Sequence, residues 1–178
     1  MVEPLPEAYE ALLTKKRKAF CIKTCLSTEK KVTEVDFDAA GLVGGIINGQ
    51  FKPAEDTVQY KLEKRKFDPN FKFQFEFERR TLRLECLPLT SLILAMGNPT
   101  VDLLILDIEG AEWPVLQTID FEKVNINVIA LEMNHIGEVF DGHPTEVRYF
   151  LKRHGFVLWK TVQIDEIWVK KDFLKDEL

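Results

Sequence analysis

The stretch Val101-Asp-Leu-Leu-Ile-Leu-Asp-Ile-Glu-Gly-Ala-Glu-Trp113 decides the fold of this chain. Its first eight residues are mostly apolar and do not alternate with polar ones, which is typical of a strand buried on both faces of a parallel sheet. Acids then surround Gly110, and residues 111–116 have the pattern of the first turns of a helix. Because open α/β sheets bind ligands at the carboxyl ends of their strands, we interpret this acidic tip as a site. The alternative is an ordinary helix start that carries acids.

The bulk composition indicates one domain and excludes several partners. The chain has 178 residues, of which 46% are hydrophobic, and this is enough for one sizeable core. Its net charge of -5 argues against a nucleic-acid partner, because phosphate binding requires a basic surface. No apolar run approaches the length of a membrane span, so we do not expect these residues to insert into a membrane.

The three cysteines do not form a disulfide framework in this interpretation. Cys21 and Cys25 lie in a predicted strand, where a spacing of four places both side chains on one face. No further Cys or His lies near them to complete a zinc site. We therefore expect Cys21, Cys25 and Cys86 to be ordinary buried thiols.

Helical and strand patterns alternate along most of the chain. Phe71, Phe73, Phe75 and Phe77 alternate with polar residues, which predicts a β-hairpin insertion over 50–87 within a single domain, 1–178. We expect a mostly parallel α/β sheet with an antiparallel C-terminal edge strand. The predicted helices are 6–18, 89–96, 111–118 and 144–154, and the other predicted strands are 19–26, 32–37, 101–108, 124–133, 156–161 and 164–170.

Two clusters of polar residues follow neighbouring strands of this predicted sheet. They are Asp107, Glu109 and Glu112 after one strand, and Glu132, Asn134 and His135 after the next. Since the carboxyl ends of neighbouring strands share one crevice, we expect the clusters to face each other. Such a group could bind a divalent metal, or could position and deprotonate a substrate hydroxyl or amine. His135 is the natural proton acceptor, and the alternative is a surface histidine on a loop.

Glu3 is a weaker candidate at the start of the chain. An acid just past a strand binds ribose hydroxyls in nucleotide-binding sheets, and the alternative is a solvated N-terminal acid. The glycine-rich turn that would precede it is absent from this sequence, and residues 41–45 do not replace it because no amphipathic helix follows them.

The 101–113 stretch, Val128-Ile-Ala-Leu-Glu-Met and the closing His154-Gly-Phe with Ile164-Asp-Glu-Ile-Trp-Val-Lys-Lys resemble the FkbM family of S-adenosylmethionine-dependent methyltransferases. Val2-Glu-Pro-Leu-Pro-Glu-Ala-Tyr-Glu-Ala-Leu-Leu and residues 19–27 are also similar to that family from its second strand onward. Cys86-Leu-Pro-Leu resembles the animal branch, which includes the Star-like membrane proteins. The resemblance spans residues 2–172.

This resemblance implies a seven-stranded Rossmann-like fold that uses S-adenosylmethionine. It places Glu3 on the cofactor ribose and the Leu26-Ser27 turn near the adenine. It also places Asp107 and Glu109 in the methyl-transfer pocket, with Glu132 facing them, and makes Asp107 a contact of the cofactor as well.

The family's first strand and glycine loop have no counterpart in the sequence. That strand lies centrally, so without it two buried strands lose a shared partner and expose backbone groups. We expect either a fragment of a longer protein or direct pairing of these two strands. We also expect poor cofactor affinity and little methyltransferase activity from residues 1–178, which tight S-adenosylmethionine binding in calorimetry would overturn.

The sequence therefore leaves three functional hypotheses. The first is an O-methyltransferase domain acting on a hydroxyl of a small molecule or glycan, and the second is a non-catalytic luminal domain in membrane-protein trafficking. The third, metal-dependent hydrolysis, has the least support, and we expect no resident metal. Lys175-Asp-Glu-Leu178 matches an endoplasmic-reticulum retrieval signal, with coincidence as the alternative. It predicts the endoplasmic-reticulum lumen if a signal or anchor precedes Met1, and the cytoplasm otherwise.

Overall fold

Eight strands in the described part of the chain form two mixed four-stranded sheets. The computed structural model describes residues 1–41, 44–49 and 80–176. The predicted alternation of phenylalanines at 71–77, and with it most of the predicted 50–87 hairpin, lies outside the described residues.

Helices and strands alternate along the chain as the apolar patterns predict. The strands are β1 (Cys25–Leu26), β2 (Thr33–Ala39), β3 (Gly45–Ile46), β4 (Arg80–Leu87), β5 (Val101–Leu106), β6 (Ile126–Glu132), β7 (Phe156–Val162) and β8 (Asp165–Lys170). The helices are α1 (Pro6–Thr14), α2 (Leu89–Ala95), α3 (Glu112–Thr118), α4 (Pro144–Arg153) and α5 (Lys171–Asp176). None of the helices in the described ranges is long and apolar enough to cross a membrane.

The first sheet has the order β1-β4-β2-β3. β1 pairs with β4 in parallel, and β2 pairs with β3 and β4 in antiparallel. Cys25 lies directly opposite Cys86, and the two form a disulfide between β1 and β4. Our expectation of three ordinary thiols was wrong for this pair, because the register that brings the two sulfurs together joins residues far apart in sequence. Cys21 is a free thiol.

The second sheet has the order β5-β6-β8-β7 and contains the acidic tips. β5 and β6 are parallel, and β8 is antiparallel to both β6 and β7. The predicted α/β fold is thus confirmed, but the prediction of a mostly parallel sheet was wrong, because both sheets are mixed. The antiparallel strand lies inside the sheet rather than at its edge, because β8 folds back between β6 and β7.

β5 is less buried than its sequence predicts. We expected burial on both faces, but Leu103 is 53% exposed and Ile105 is 65% exposed. Within the described residues β5 is an edge strand, because only β6 pairs with it. The two strands expected to lose a partner do not pair with each other there. The predicted 19–26 strand is similarly reduced to β1 and a parallel bridge between Val2 and Ile22.

The core lies around β6, β8 and the helices that follow the tips. Ile129 and Leu131 of β6 and Trp168 of β8 are fully buried. Val115 and Leu116 of α3, and Val147 and Leu151 of α4, join the same apolar cluster. This packing fixes the carboxyl ends of β5 and β6, where the candidate site lies.

Candidate active site

The carboxyl ends of β5 and β6 lie side by side, as predicted. Leu106 is opposite Leu131 in the parallel register, so the residues that follow each strand emerge at the same edge of the sheet. The structure therefore brings together the acids after β5 and the Glu132–His135 group after β6.

A tight turn follows β5, and Glu112 holds it in shape. Glu109 and Gly110 both have a positive φ, of 57° and 104°. The Glu112 carboxylate accepts hydrogen bonds from the backbone N–H of Ile108 at 2.7 Å and of Gly110 at 2.9 Å. A side chain at position 110 would place its Cβ 2.6 Å from Val139 Cγ2. Burial raises the pKa of Glu112, and these backbone hydrogen bonds oppose that rise. Because both carboxylate oxygens are bound to the backbone, Glu112 stabilises the turn.

His135 faces two carboxylates across the gap between the tips. Its Nε2 lies 3.7 Å from Glu109 Oε2 and 3.7 Å from Glu132 Oε1. The other ring nitrogen, Nδ1, lies 2.6 Å from Glu138 Oε2. Since a carboxylate only accepts hydrogen bonds, Nδ1 carries the hydrogen and donates it to Glu138. Nε2 is then the acceptor atom of the ring, and the Asn134 amide donates a hydrogen bond to it at 3.2 Å.

Glu132 is the least satisfied polar side chain at this edge. It is 3% exposed, and neither Oε atom has a hydrogen-bond partner among the described residues. Burial raises its pKa to about 8, with further contributions from the Asp107, Glu109 and Glu112 carboxyls.

A large cavity opens beside the tips. It has a volume of about 1370 Å³, and its mostly apolar lining includes Glu3, Leu26, Asp107 and Glu109. This exceeds the roughly 300–1,000 Å³ of a typical small-ligand site. Glu132 and His135 do not line it, so Glu109 connects the cavity with the buried histidine.

Similarity to known proteins identifies the family of this chain. A family model, the methyltransferase FkbM domain, matches residues 1–158. The chain belongs to the FkbM methyltransferase family. No curated protein and no solved structure matches the chain.

FkbM methyltransferases use S-adenosylmethionine, and three of the four residues predicted to contact this cofactor, Glu3, Leu26 and Asp107, line the cavity. Glu3 lies on one wall, where its Oε1 accepts a hydrogen bond from the Leu5 N–H at 2.8 Å. A carboxylate has about four acceptor sites, so the remaining ones can take ribose hydroxyls. Leu26 is also in the lining, and the cavity has room for the cofactor. The residues present thus fit this cofactor on the ribose side.

Ser27 is not in the cavity lining. Its hydroxyl is fully buried, donates to the Lys31 carbonyl at 2.7 Å and accepts from the Glu29 N–H at 3.1 Å. Ser27 therefore shapes the turn after β1, and its predicted contact with adenine remains a prediction.

Two acids at this edge were missed in the sequence. Glu138 orients His135, and its position three residues later in the same turn was a usable signal. Asp165 is opposite Glu132 in the β6–β8 register. Burial and the Asp107 carboxyl raise the pKa of Asp165, so it belongs to the same acidic group. Nothing local in the sequence indicates that register.

Proposed function

We propose that this chain is an S-adenosylmethionine-dependent O-methyltransferase domain that acts on a hydroxyl of a small molecule or glycan. One observation carries the proposal: a single cavity is lined by Glu3 on the expected cofactor side and by Asp107 and Glu109 on the expected acceptor side. The volume beyond that of a typical small-ligand site supports a bulky acceptor, such as a sugar.

Asp107 and Glu109 would orient the acceptor. Both lie in the turn that follows β5 and line the cavity, so either carboxylate can accept a hydrogen bond from a substrate hydroxyl. When bound, S-adenosylmethionine supplies an activated methyl group. The acceptor oxygen would take that methyl group as the bond between the methyl carbon and the cofactor sulfur breaks, and the hydroxyl proton would go to a base on the protein.

His135 is suited to receive that proton through Glu109. The Glu138 carboxylate holds the hydrogen on Nδ1, which leaves Nε2 as the basic atom on the side of Glu109. Because the distance from Nε2 to Glu109 Oε2 is 3.7 Å, a shift of less than 1 Å brings the two atoms within hydrogen-bond reach. His135 would thus take the proton from Glu109, and His135 itself does not touch the acceptor.

Calorimetric titration with S-adenosylmethionine tests the proposal. We expect weak binding to the wild-type chain, and Glu3→Ala should weaken it by about 10–100-fold, which corresponds to hydrogen bonds on a charged group. Glu10→Ala is the matched control, because Glu10 is an exposed acid on α1. No binding at millimolar cofactor, or equal affinities of the two variants, would contradict the proposal.

A second candidate, a non-catalytic luminal domain, is favoured by the Cys25–Cys86 disulfide. Disulfides persist in oxidising compartments and are rare in the cytosol. Thiol-specific alkylation of the full chain in cells, before and after reduction, should show one protected pair if the chain is luminal. A protected pair together with no S-adenosylmethionine binding supports this candidate, and free thiols at both positions contradict it.

A further inference from the structure

A group of three buried side chains behind the cavity has the composition of a metal site. Glu109, Glu132 and His135 each offer one ligand atom, and these atoms all lie within 4.8 Å of one another. Their side chains are only 8%, 2% and 7% exposed. One imidazole nitrogen and two carboxylate oxygens are a donor set that suits zinc.

Glu132 supplies an independent indication that something positively charged belongs there. Both of its carboxylate oxygens are buried and lack a hydrogen-bond partner among the described residues, and Oε1 is directed toward His135 Nε2. A buried charge is normally paired or coordinated to a metal. Arg148, which compensates the buried Glu166 of the same sheet, shows that this fold supplies a cation elsewhere.

The orientation of His135 is the one that a metal ligand requires. Metal-binding histidines nearly always donate their second ring N–H to a carboxylate or carbonyl, which fixes the ring and raises its basicity. Glu138 accepts such a hydrogen bond from Nδ1 at 2.6 Å. Nε2 then presents its lone pair on the side of both acids, and the Asn134 amide donates a hydrogen bond to it at 3.2 Å that a bound ion would displace.

The spacing fits a small ion. Zinc bonds of about 2.1 Å at tetrahedral angles hold neighbouring ligand atoms roughly 3.4 Å apart. Nε2 lies 3.7 Å from each of its two carboxylate oxygens, so these two pairs need to contract by a few tenths of an ångström. The two carboxylate oxygens lie within 4.8 Å of each other, so that pair closes by at most about 1.4 Å. Mg²⁺ fits less well, because it prefers oxygen ligands and keeps several waters in octahedral geometry.

We propose that Glu109, Glu132 and His135 bind one Zn²⁺ ion, which leaves its fourth position for a water or hydroxyl oxygen. The evidence for zinc binding is these contacts alone, whereas the role of the ion in catalysis rests on the proposed function. Because Glu109 also lines the cavity, an ion that it binds lies next to the acceptor space. There it would lower the pKa of a bound hydroxyl and assist its deprotonation, and because Nε2 would then be bound to the ion, the ion would replace His135 in the removal of that proton.

Equilibrium dialysis of the chelator-treated full chain against Zn²⁺ tests this site. Every protein carries Cys21→Ser, because Cys21 is a free thiol that could bind zinc by itself. We expect one Zn²⁺ per chain by atomic emission. Glu132→Gln and His135→Asn should weaken binding by at least about 100-fold, and Glu138→Gln by about 10–100-fold.

His143→Asn is the matched control. It removes a histidine outside the cluster, and asparagine can keep the N-cap hydrogen bond that His143 makes to the Thr145 N–H. Equal zinc affinity of His143→Asn, Glu132→Gln and His135→Asn would overturn the inference, as would failure of the wild-type sites to retain zinc. Displacement of the zinc by millimolar Mg²⁺ would also overturn it.

Co²⁺ substitution of the chain with wild-type sites decides the matter if a variant fails to fold. Intense tetrahedral absorption bands without thiolate charge transfer support the site, and weak octahedral bands overturn it. The S-adenosylmethionine titration keeps the two proposals apart. Zinc binding without cofactor binding removes only the proposed function, and cofactor binding without zinc removes only the metal site.

Discussion

The two sheets of this protein are stabilised in different ways. The first sheet exposes half of the residues of β4 and is crosslinked by the Cys25–Cys86 disulfide. The second sheet packs Ile129, Leu131 and Trp168 into the core at 0% exposure and has no crosslink in its described residues. The second sheet thus relies on apolar burial in β6 and β8, and it is the sheet that carries the acidic tips.

Truncation of a leucine on each sheet tests this difference most strongly. Leu131→Ala on β6 should lower the free energy of unfolding by about 2–5 kcal/mol, because it leaves a cavity in a fully buried site. Leu84→Ala on β4 should lower it by about 1–2 kcal/mol, since Leu84 is only partly buried. Urea denaturation followed by circular dichroism measures both, and equal losses would remove the distinction between the sheets.

Removal of the disulfide should affect the first sheet selectively. Cys25→Ala/Cys86→Ala should lower the free energy of unfolding by about 2–4 kcal/mol, because the bridge closes a long loop across a separation of 61 residues. Hydrogen exchange should accelerate in β1 and β4 more than in β6. Cys21→Ala is the control for loss of a thiol, and an equal effect of Cys21→Ala would show that the crosslink contributes nothing.

The second sheet was the more predictable of the two for a physical reason. Its strands and helices follow one another along the chain, so local apolar patterns place β5, α3, β6 and α4 within a few residues of their observed bounds. The first sheet depends on pairings between distant segments, such as Thr33 with Cys86. Such registers leave no local signal, and the disulfide depends on one of them.

The candidate site divides in the same way. Strand ends followed by acids predict that Glu109, Glu132 and His135 come together, because the carboxyl ends of adjacent parallel strands always share an edge. The exposure of Leu103 and Ile105 was not predictable from the apolar run, since burial depends on neighbours that the run does not specify. The same limit applies to Asp165, which reaches the site through an antiparallel register.

The buried acid on the second sheet should make stability depend on pH in a metal-free solution with chelator. The pKa of Glu132 rises from 4.5 to about 8, so in this window the folded state holds a proton that the unfolded state has lost. Its contribution is therefore fully present below pH 4.5 and is lost as pH rises through about 8.

Glu132→Gln should remove this pH dependence and raise the free energy of unfolding at pH 8 by about 1–3 kcal/mol. Urea midpoints at several pH values measure the effect. Glu29→Gln, at an exposed acid of the first sheet's β1–β2 connection, is the control and should change nothing. A wild-type stability that rises between pH 5 and pH 8 relative to Glu132→Gln would contradict the assignment.

An arginine on each sheet gives the smallest and sharpest test of the comparison. Arg148 donates to Glu166, which is 3% exposed and also accepts from Trp168 Nε1 at 3.1 Å. Arg148→Ala should lower the free energy of unfolding by about 1–2 kcal/mol, a value reduced for the partial exposure of Arg148, because a buried carboxylate loses a charged donor. Arg83 on β4 pairs with Asp36 and Glu34 where all three side chains are more than half exposed, so Arg83→Ala should leave the denaturation curve unchanged within error. Repeating both denaturation measurements in high salt should increase the contrast between the two variants. Salt screens the exposed Arg83 pairs, whereas the Arg148–Glu166 pair, whose carboxylate is buried, should keep most of its contribution.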